Sequence, residues 1–195
     1  MNAVRFAPLS GAGWSPLPKF IKNKTAIVNV KNEDERCFNN AIAFALHPIN
    51  GSYHANIPDL YLQYFDEHHL NDIEYPVHPT AMPELEENID LSINLYSYFD
   101  DICKAIYPLY ISRHDSPRHI DLLYFNGHYA WIKNVSRLFS QLTKHNGRYF
   151  YCKRCLGHFN HERRFLRHQQ LCTRVDYIST LHILPEPDST IKFKN

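Results

Sequence analysis

KNEDERCFNNAIAFAL, residues 31–46, sets a single cysteine where a charged run meets an apolar helical pattern. From Cys37 to Leu46 the chain is almost wholly apolar apart from Asn39 and Asn40, as expected of a helix buried in a core. His47-Pro48 ends it, because the residue before a proline is disfavoured in the α region. Cys37 would therefore sit in the first turn of a buried helix, where the N-terminal field lowers a thiol pKa. A lone buried cysteine is otherwise a small hydrophobe, so packing and chemistry are both open from these residues.

The elements on either side make an α+β chain. TAIVNV (25–30), LSINLYSY (91–98) and AIYPLYIS (105–112) read as strands. HIDLLYFNGHYAWIK (119–133) is the clearest local signal, two apolar runs around an Asn126-Gly127 hairpin turn. IPDLYLQYFDEHHL (57–70) has helical spacing at Leu60, Tyr64 and Leu70, with Pro58 and Asp59 as entry signals. A short helix is expected at 82–88, and another at 135–142 with Asn134 as its N-cap. YISTLHIL (177–184) reads as a last strand before a Pro-containing tail. The domain boundaries follow: a flexible tail at 1–12, a main domain at 13–145, a small module at 146–176, and a C-terminal strand and tail at 177–195.

The small module carries Cys152-x2-Cys155-x12-His168-x3-Cys172, the spacing of a C2HC zinc finger. Phe150, Phe159 and Phe165 stand where a ββα finger keeps its few core residues. A unit this small cannot bury enough surface by itself, so a structural Zn2+ is expected on those four ligands. The segment Lys144–Arg174 holds eight Lys or Arg against one acid, Glu162, while the whole chain is +1, so the body is mildly acidic. Arg163, Arg164 and Arg167 fall on the finger helix, and a nucleic-acid contact there would be weak, since one finger spans about three base pairs.

Catalysis by Cys37 needs an imidazole and a group to orient it. His128 follows the hairpin turn, with Asn126 two residues before it, and Asp121 and Asn134 are the other candidates for the orienting group. The chain order, cysteine then histidine, on helix and sheet, is that of papain-like proteases. Polar residues before the helix, Asn32 and Asp34 among them, are candidates to present donors to an oxyanion. Tyr124, Tyr129 and Trp131 are candidate walls of a substrate channel.

DERCFNNAI resembles the nucleophile region of ovarian-tumour-type deubiquitinases. WSPLPKFIKNKTAIVNVKNEDERCFNNAIAFALHP, LSINLY, YPLYISR, IDLLYF, HYAWIKNVSRLFSQ and CKRCLGHFNHERRFLRHQQLC resemble, in that order, the N-terminal region of polinton (Maverick) type B DNA polymerases and their stand-alone relatives, over roughly 13–175. The resemblance implies a papain-like cysteine protease fold, similar to tegument-like and ovarian-tumour-like deubiquitinases. It implies cleavage after the C-terminal Gly-Gly of ubiquitin or a ubiquitin-like protein, with Cys37 as nucleophile and His128 as base. The sequence departs from the ovarian-tumour pattern at Ala130, where an acid or amide would follow the histidine by two, and at Asn39 and Asn40.

The other reading is a non-catalytic, mobile-element-derived module whose finger holds DNA or a protein. No long apolar run suggests a membrane span, and the N-terminus lacks the apolar core of a signal peptide. Five cysteines, three of them at metal spacing, fit a reducing intracellular compartment, cytoplasmic or nuclear. A monomer is expected.

Overall fold

The computed structural model describes residues 14–48, 57–99, 104–140 and 149–172. The chain is α+β and divides into two compact units at the 148/149 boundary, three residues from the expected one.

The first unit is built on a five-stranded mixed sheet: β1 (Ile27–Val28), β2 (Ser92–Tyr98), β3 (Ile106–Tyr110), β4 (His119–Phe125) and β5 (His128–Ile132). Its order is β1-β5-β4-β2-β3, antiparallel except for the parallel pair β2–β4. The β4–β5 hairpin turns at Asn126 (φ 49°) and Gly127 (φ 76°). Two consecutive left-handed residues make the primed turn whose twist matches the strands, which is why Asn-Gly stands there.

Short helical elements and one longer helix, α2, dress this sheet: α1 (Lys19–Lys22), α2 (Cys37–Leu46), α3 (Met82–Ile89), α4 (Val135–Leu138), and the 3₁₀ segments Pro58–Tyr64 and Pro79–Ala81. α2 packs on the β5 face that carries Tyr129 and Trp131. Phe38 meets Tyr129 edge-on at 5.1 Å, and Phe44 meets Trp131 at 5.7 Å. Phe38, Ala41 and Ile42 are completely buried; side chains the size of Phe38 and Ile42 each contribute roughly 1.5–3 kcal/mol by leaving water. Asn134 caps α4 as expected, its Oδ1 accepting from Arg137 N at 2.9 Å.

The expected helix over 57–70 is not an α-helix. Leu70 is buried as its spacing implied, but Tyr61 and Phe65 are buried where Leu60 and Tyr64 were expected; Tyr61 lies against Phe44 at 4.9 Å, Tyr64 is half-buried and Leu60 is exposed. Filling the space beside Phe44 with Tyr61 shifts the buried face by one residue and tightens the segment into 3₁₀ geometry. The expected strand 177–184, the tail 1–12 and Cys103 lie outside the described residues.

The second unit pairs β6 (Phe150–Tyr151) with β7 (His158–Phe159) and follows them with α5 (Glu162–Leu171). Phe165 stacks on Phe150 at 5.9 Å and approaches Phe159 at 6.0 Å, a core of three rings. Among the described residues no helix is long and apolar enough to cross a membrane.

Candidate thiol site and metal centre

Cys37 is the first residue of α2 and is buried. The chain reaches it from β1, which pairs with β5 only through Val28. Beyond Val28 no further β1 residue pairs with β5, and the backbone N–H groups of Tyr129, Phe38 and Cys37 act on the Cys37 sulfur to lower its pKa. Tyr129 directly follows His128, so the thiol and the imidazole come from neighbouring positions on one strand edge.

Burial nevertheless dominates the electrostatics. It pushes the Cys37 thiol up, the three N–H donors pull it back, and the Asp34 carboxylate adds to the rise. Burial likewise pushes His128 down to about 4. The resting pair is a neutral thiol and a neutral imidazole, not the depressed thiolate that helix position alone suggested. Alkylation of Cys37 by iodoacetamide should therefore keep climbing as pH rises above neutrality. A rate already at its plateau at pH 6 would show a preformed ion pair and contradict this.

His128 is fully buried, and its one hydrogen bond is from Nε2 to Asn29 Oδ1 at 2.6 Å. Asn29 is itself oriented, because its Nδ2 donates to the Ser15 carbonyl at 2.8 Å. With that amide edge committed, Oδ1 must face the ring as an acceptor, so Nε2 carries the proton and Nδ1 keeps its lone pair. Nδ1 is buried with no hydrogen-bond partner, so the resting structure has no Cys37–His128 hydrogen bond. A catalytic contact commonly tightens only once substrate is bound.

The orienting group is thus Asn29, and the expectation for Asn126 is corrected. The Asn126 amide lies in the hairpin turn, where its Nδ2 donates to Ser15 Oγ at 3.3 Å instead of touching the ring. Asp121 bonds Asn94 and lies 3.4 Å from His119, and Asn134 caps α4. Asn32 is buried, but both hydrogens of its Nδ2 go to Asp34, to O at 2.5 Å and to Oδ1 at 3.1 Å. Its side-chain amide is committed to that loop in this state. The Asp34 carboxylate accepts from Arg36 N and cannot itself donate. The donors that do converge at the sulfur are backbone N–H groups, led by that of Tyr129.

Of the channel candidates, Tyr124 stays beside the thiol: it is half-buried, and the Cys37 charge adds to the burial that raises its hydroxyl pKa. Tyr129 is core, 1% exposed and donating its hydroxyl to Val77 O at 3.0 Å. Trp131 packs on Phe44, two residues along β5. Tyr75, which the sequence did not mark, also lies near the thiol. Its hydroxyl meets Asn39 Nδ2, and the charges of Arg36, Asp34 and Cys37 all reach it.

The neutral His128 makes a pH prediction. An exposed imidazole in the unfolded chain titrates near 6.5, above the folded value of about 4, so the unfolded state binds the proton first. The stability due to this group is complete above about pH 6.5 and is lost as pH falls toward 4, by up to about 3 kcal/mol. Urea unfolding at pH 7.5 and 4.5 should show a steeper loss for wild type than for His128→Gln. Equal losses would refute the assignment. His68 is also lowered by burial and contributes to both proteins alike.

In the second unit Cys152, Cys155, His168 and Cys172 bring one donor atom each to within 4.8 Å of one another and could hold a metal ion. Cys152 Sγ is 3.6 Å from Cys172 Sγ, and Cys155 Sγ is 3.2 Å from His168 Nε2, with no disulfide among them. The knuckle is closed by Leu156 N to Cys152 O and by Cys152 N to Gly157 O, both 2.8 Å. A Cβ on Gly157 would lie 3.2 Å from Cys155 Sγ, so the loop leaves room for little beyond the sulfur there. Three thiols and one imidazole at this spacing fit a closed tetrahedral site.

His47, Glu67 and His68 form a second cluster of ligand-type atoms. Here both histidines are already engaged in hydrogen bonds. Arg118 Nη1 donates to His68 Nδ1 at 3.3 Å, which fixes the proton on Nε2, and that proton lies between His68 and His47, 2.7 Å apart. The two histidines tie the end of α2 to Arg118.

The chain matches no protein-family profile, no curated protein and no solved structure.

Proposed function

We propose that the first unit is a cysteine peptidase of papain-like architecture, a deubiquitinase-type thiol hydrolase. It cleaves peptide or isopeptide bonds after the C-terminal Gly-Gly of ubiquitin or a ubiquitin-like protein. The observation that carries the reading is the oriented imidazole: Asn29 holds Nε2–H, and the remaining lone pair on Nδ1 is buried, unpaired and one residue from Tyr129, whose backbone N–H lowers the Cys37 pKa.

In the mechanism His128 Nδ1 removes the thiol proton as Cys37 Sγ attacks the scissile carbonyl. The imidazolium formed is steadied by Asn29 Oδ1. The oxyanion is held by backbone N–H groups at the front of α2. Collapse breaks the C–N bond, and His128 gives its proton to the leaving amine. Water, deprotonated by the same nitrogen, then hydrolyses the thioester and restores the thiol. Tyr75 and Tyr124 narrow the approach, which favours glycine in the residues that pass between them.

The metal of the finger is read as Zn2+ on Cys152, Cys155, His168 and Cys172. It supplies folding free energy and takes no part in the reaction. The compartment that suits these free thiols is intracellular.

The test is reaction with a ubiquitin bearing a C-terminal electrophile. A covalent adduct on Cys37, absent in His128→Ala, is the expected result. A folded protein that forms no adduct would leave the second reading, a non-catalytic zinc-finger module that binds DNA or a protein partner. That reading is favoured by one observation, that Arg163, Arg164 and Arg167 are all exposed on α5.

A further inference from the structure

An open groove of about 710 Å³ begins at the front of α2, lined by residues of the 31–36 loop, by Asn40, and by Pro58, Asp59 and Leu62 of the 3₁₀ segment. Asn40 follows Cys37 by one helical turn, so the two share a helix face. Two features of the lining are unexplained by the fold. Asn32 and Asn40 are 2% and 1% exposed, and each has an amide oxygen without a hydrogen-bond partner. A buried carbonyl left unpaired costs about 1–3 kcal/mol, so both oxygens call for an N–H donor.

The charges point the same way. Of the two cations in the lining, Arg36 lies 3.8 Å from Asp34 and the Lys31 ammonium sits over the Trp14 ring at 6.0 Å. Glu33 and Asp59 have no ion-pair partner among the described residues. The lining therefore has one more carboxylate than cation, Glu33, Asp34 and Asp59 against Lys31 and Arg36, with two unpartnered amide oxygens just beneath its surface. It is also far roomier than two glycines require, whereas the proposed path of the glycines runs past Tyr75 and Tyr124, which both lie near Cys37. The acyl side of the substrate belongs between the tyrosines, which leaves the groove to the other side of the scissile bond.

We infer that this groove binds the leaving-group segment of the substrate, a peptide carrying Lys or Arg beside the acceptor lysine. Its main-chain N–H groups would meet Asn32 and Asn40, and its basic side chain Glu33 and Asp59. The inference rests on the thiol-hydrolase reading and adds to it the chemistry of the segment released.

The experiment compares three substrates with one acyl part, ubiquitin. Two are isopeptides to a short peptide, one with Lys and Arg flanking the acceptor and one with Gln and Glu. The third is the aminocoumarin amide, which has no peptide to release. Wild type should favour the basic peptide over the acidic one by about tenfold in kcat/KM, the worth of one good charge-assisted contact. The double variant Glu33→Gln/Asp59→Asn, changed only at surface positions, should lose that preference and cleave the aminocoumarin substrate as before. Asn40→Ala should slow both peptides and spare the aminocoumarin. A wild type that does not distinguish the peptides, or a double variant that retains the preference, overturns the inference, as does an equal fall on all three substrates. A wild type that cleaves none of the three fails at the enzyme reading itself.

Discussion

Alanine at Cys37 or at His128 is expected to abolish cleavage of a ubiquitin substrate, and alanine at Asn29 to lower kcat by about a hundredfold. Asn126→Ala should leave kcat within about twofold, the size of a surface change that touches no reacting group. The contrast follows from where the two amides point. Asn29 accepts the Nε2 proton of a buried ring, and without it the ring can turn or take the other tautomer, which puts a proton on the nitrogen that must act as base. Asn126 donates to a serine hydroxyl at the surface. Nitrogen-15 spectra of His128 give a second readout that does not depend on turnover: Nε2 protonated in wild type and in Asn126→Ala, and a tautomer mixture in Asn29→Ala. Loss of activity in Asn126→Ala with Asn29→Ala intact would return the role to the hairpin. Asn29→Asp is not expected to rescue. Its second oxygen would face the Ser15 carbonyl, which an amide nitrogen now satisfies at 2.8 Å.

The second large effect is metal removal. The second unit has a core of three phenylalanines, and none of the residues of α5 is buried. Structural zinc in units of this kind is worth about 10–16 kcal/mol of apparent binding free energy near neutral pH, which here amounts to the folding free energy. Chelation, or Cys152→Ser, should therefore melt α5 while the sheet of the first unit keeps its far-ultraviolet and unfolding signatures. One equivalent of zinc per chain should restore the helix. Protein purified without added metal that keeps α5 folded in excess chelator would exclude a structural ion.

The parts of this molecule that are local in sequence were legible there. The buried helix from Cys37, the Asn126-Gly127 hairpin, the Asn134 cap and the ligand spacing each declare themselves within a few residues, because the governing physics acts over one turn of chain. Asn29 did not, because its role is made by a contact with His128 across 99 positions. The available signal was a polar residue in the apolar run Val28-Asn29-Val30, which becomes meaningful only once β1 is known to lie beside β5. Asn126 was misleading for a related reason. Its proximity in sequence suggested catalysis, whereas the left-handed turn already accounts for it. The raised thiol pKa was hidden too, since desolvation depends on what covers a side chain and no pattern near Cys37 reports that. Position 75 belongs to a Pro-broken stretch with no periodicity, so its arrival at the thiol could only be seen in three dimensions.

The sheet's outer strand carries a consequence of a different sort. Among the described residues β3 lies at the end of the sheet, pairs only with β2, and holds Pro108 at its centre opposite Tyr96. A strand with one free flank is a template onto which another chain can add, and the ladder that grows this way leads to aggregation. Proline has no N–H to offer, and its fixed φ resists a flat extended ribbon. A register shift between Leu95 and Tyr96 further spoils the regular spacing of that border. The rim of the sheet is thus guarded by its own covalent structure, and Leu109, 42% exposed beside that proline, can stand in water without seeding a growing stack.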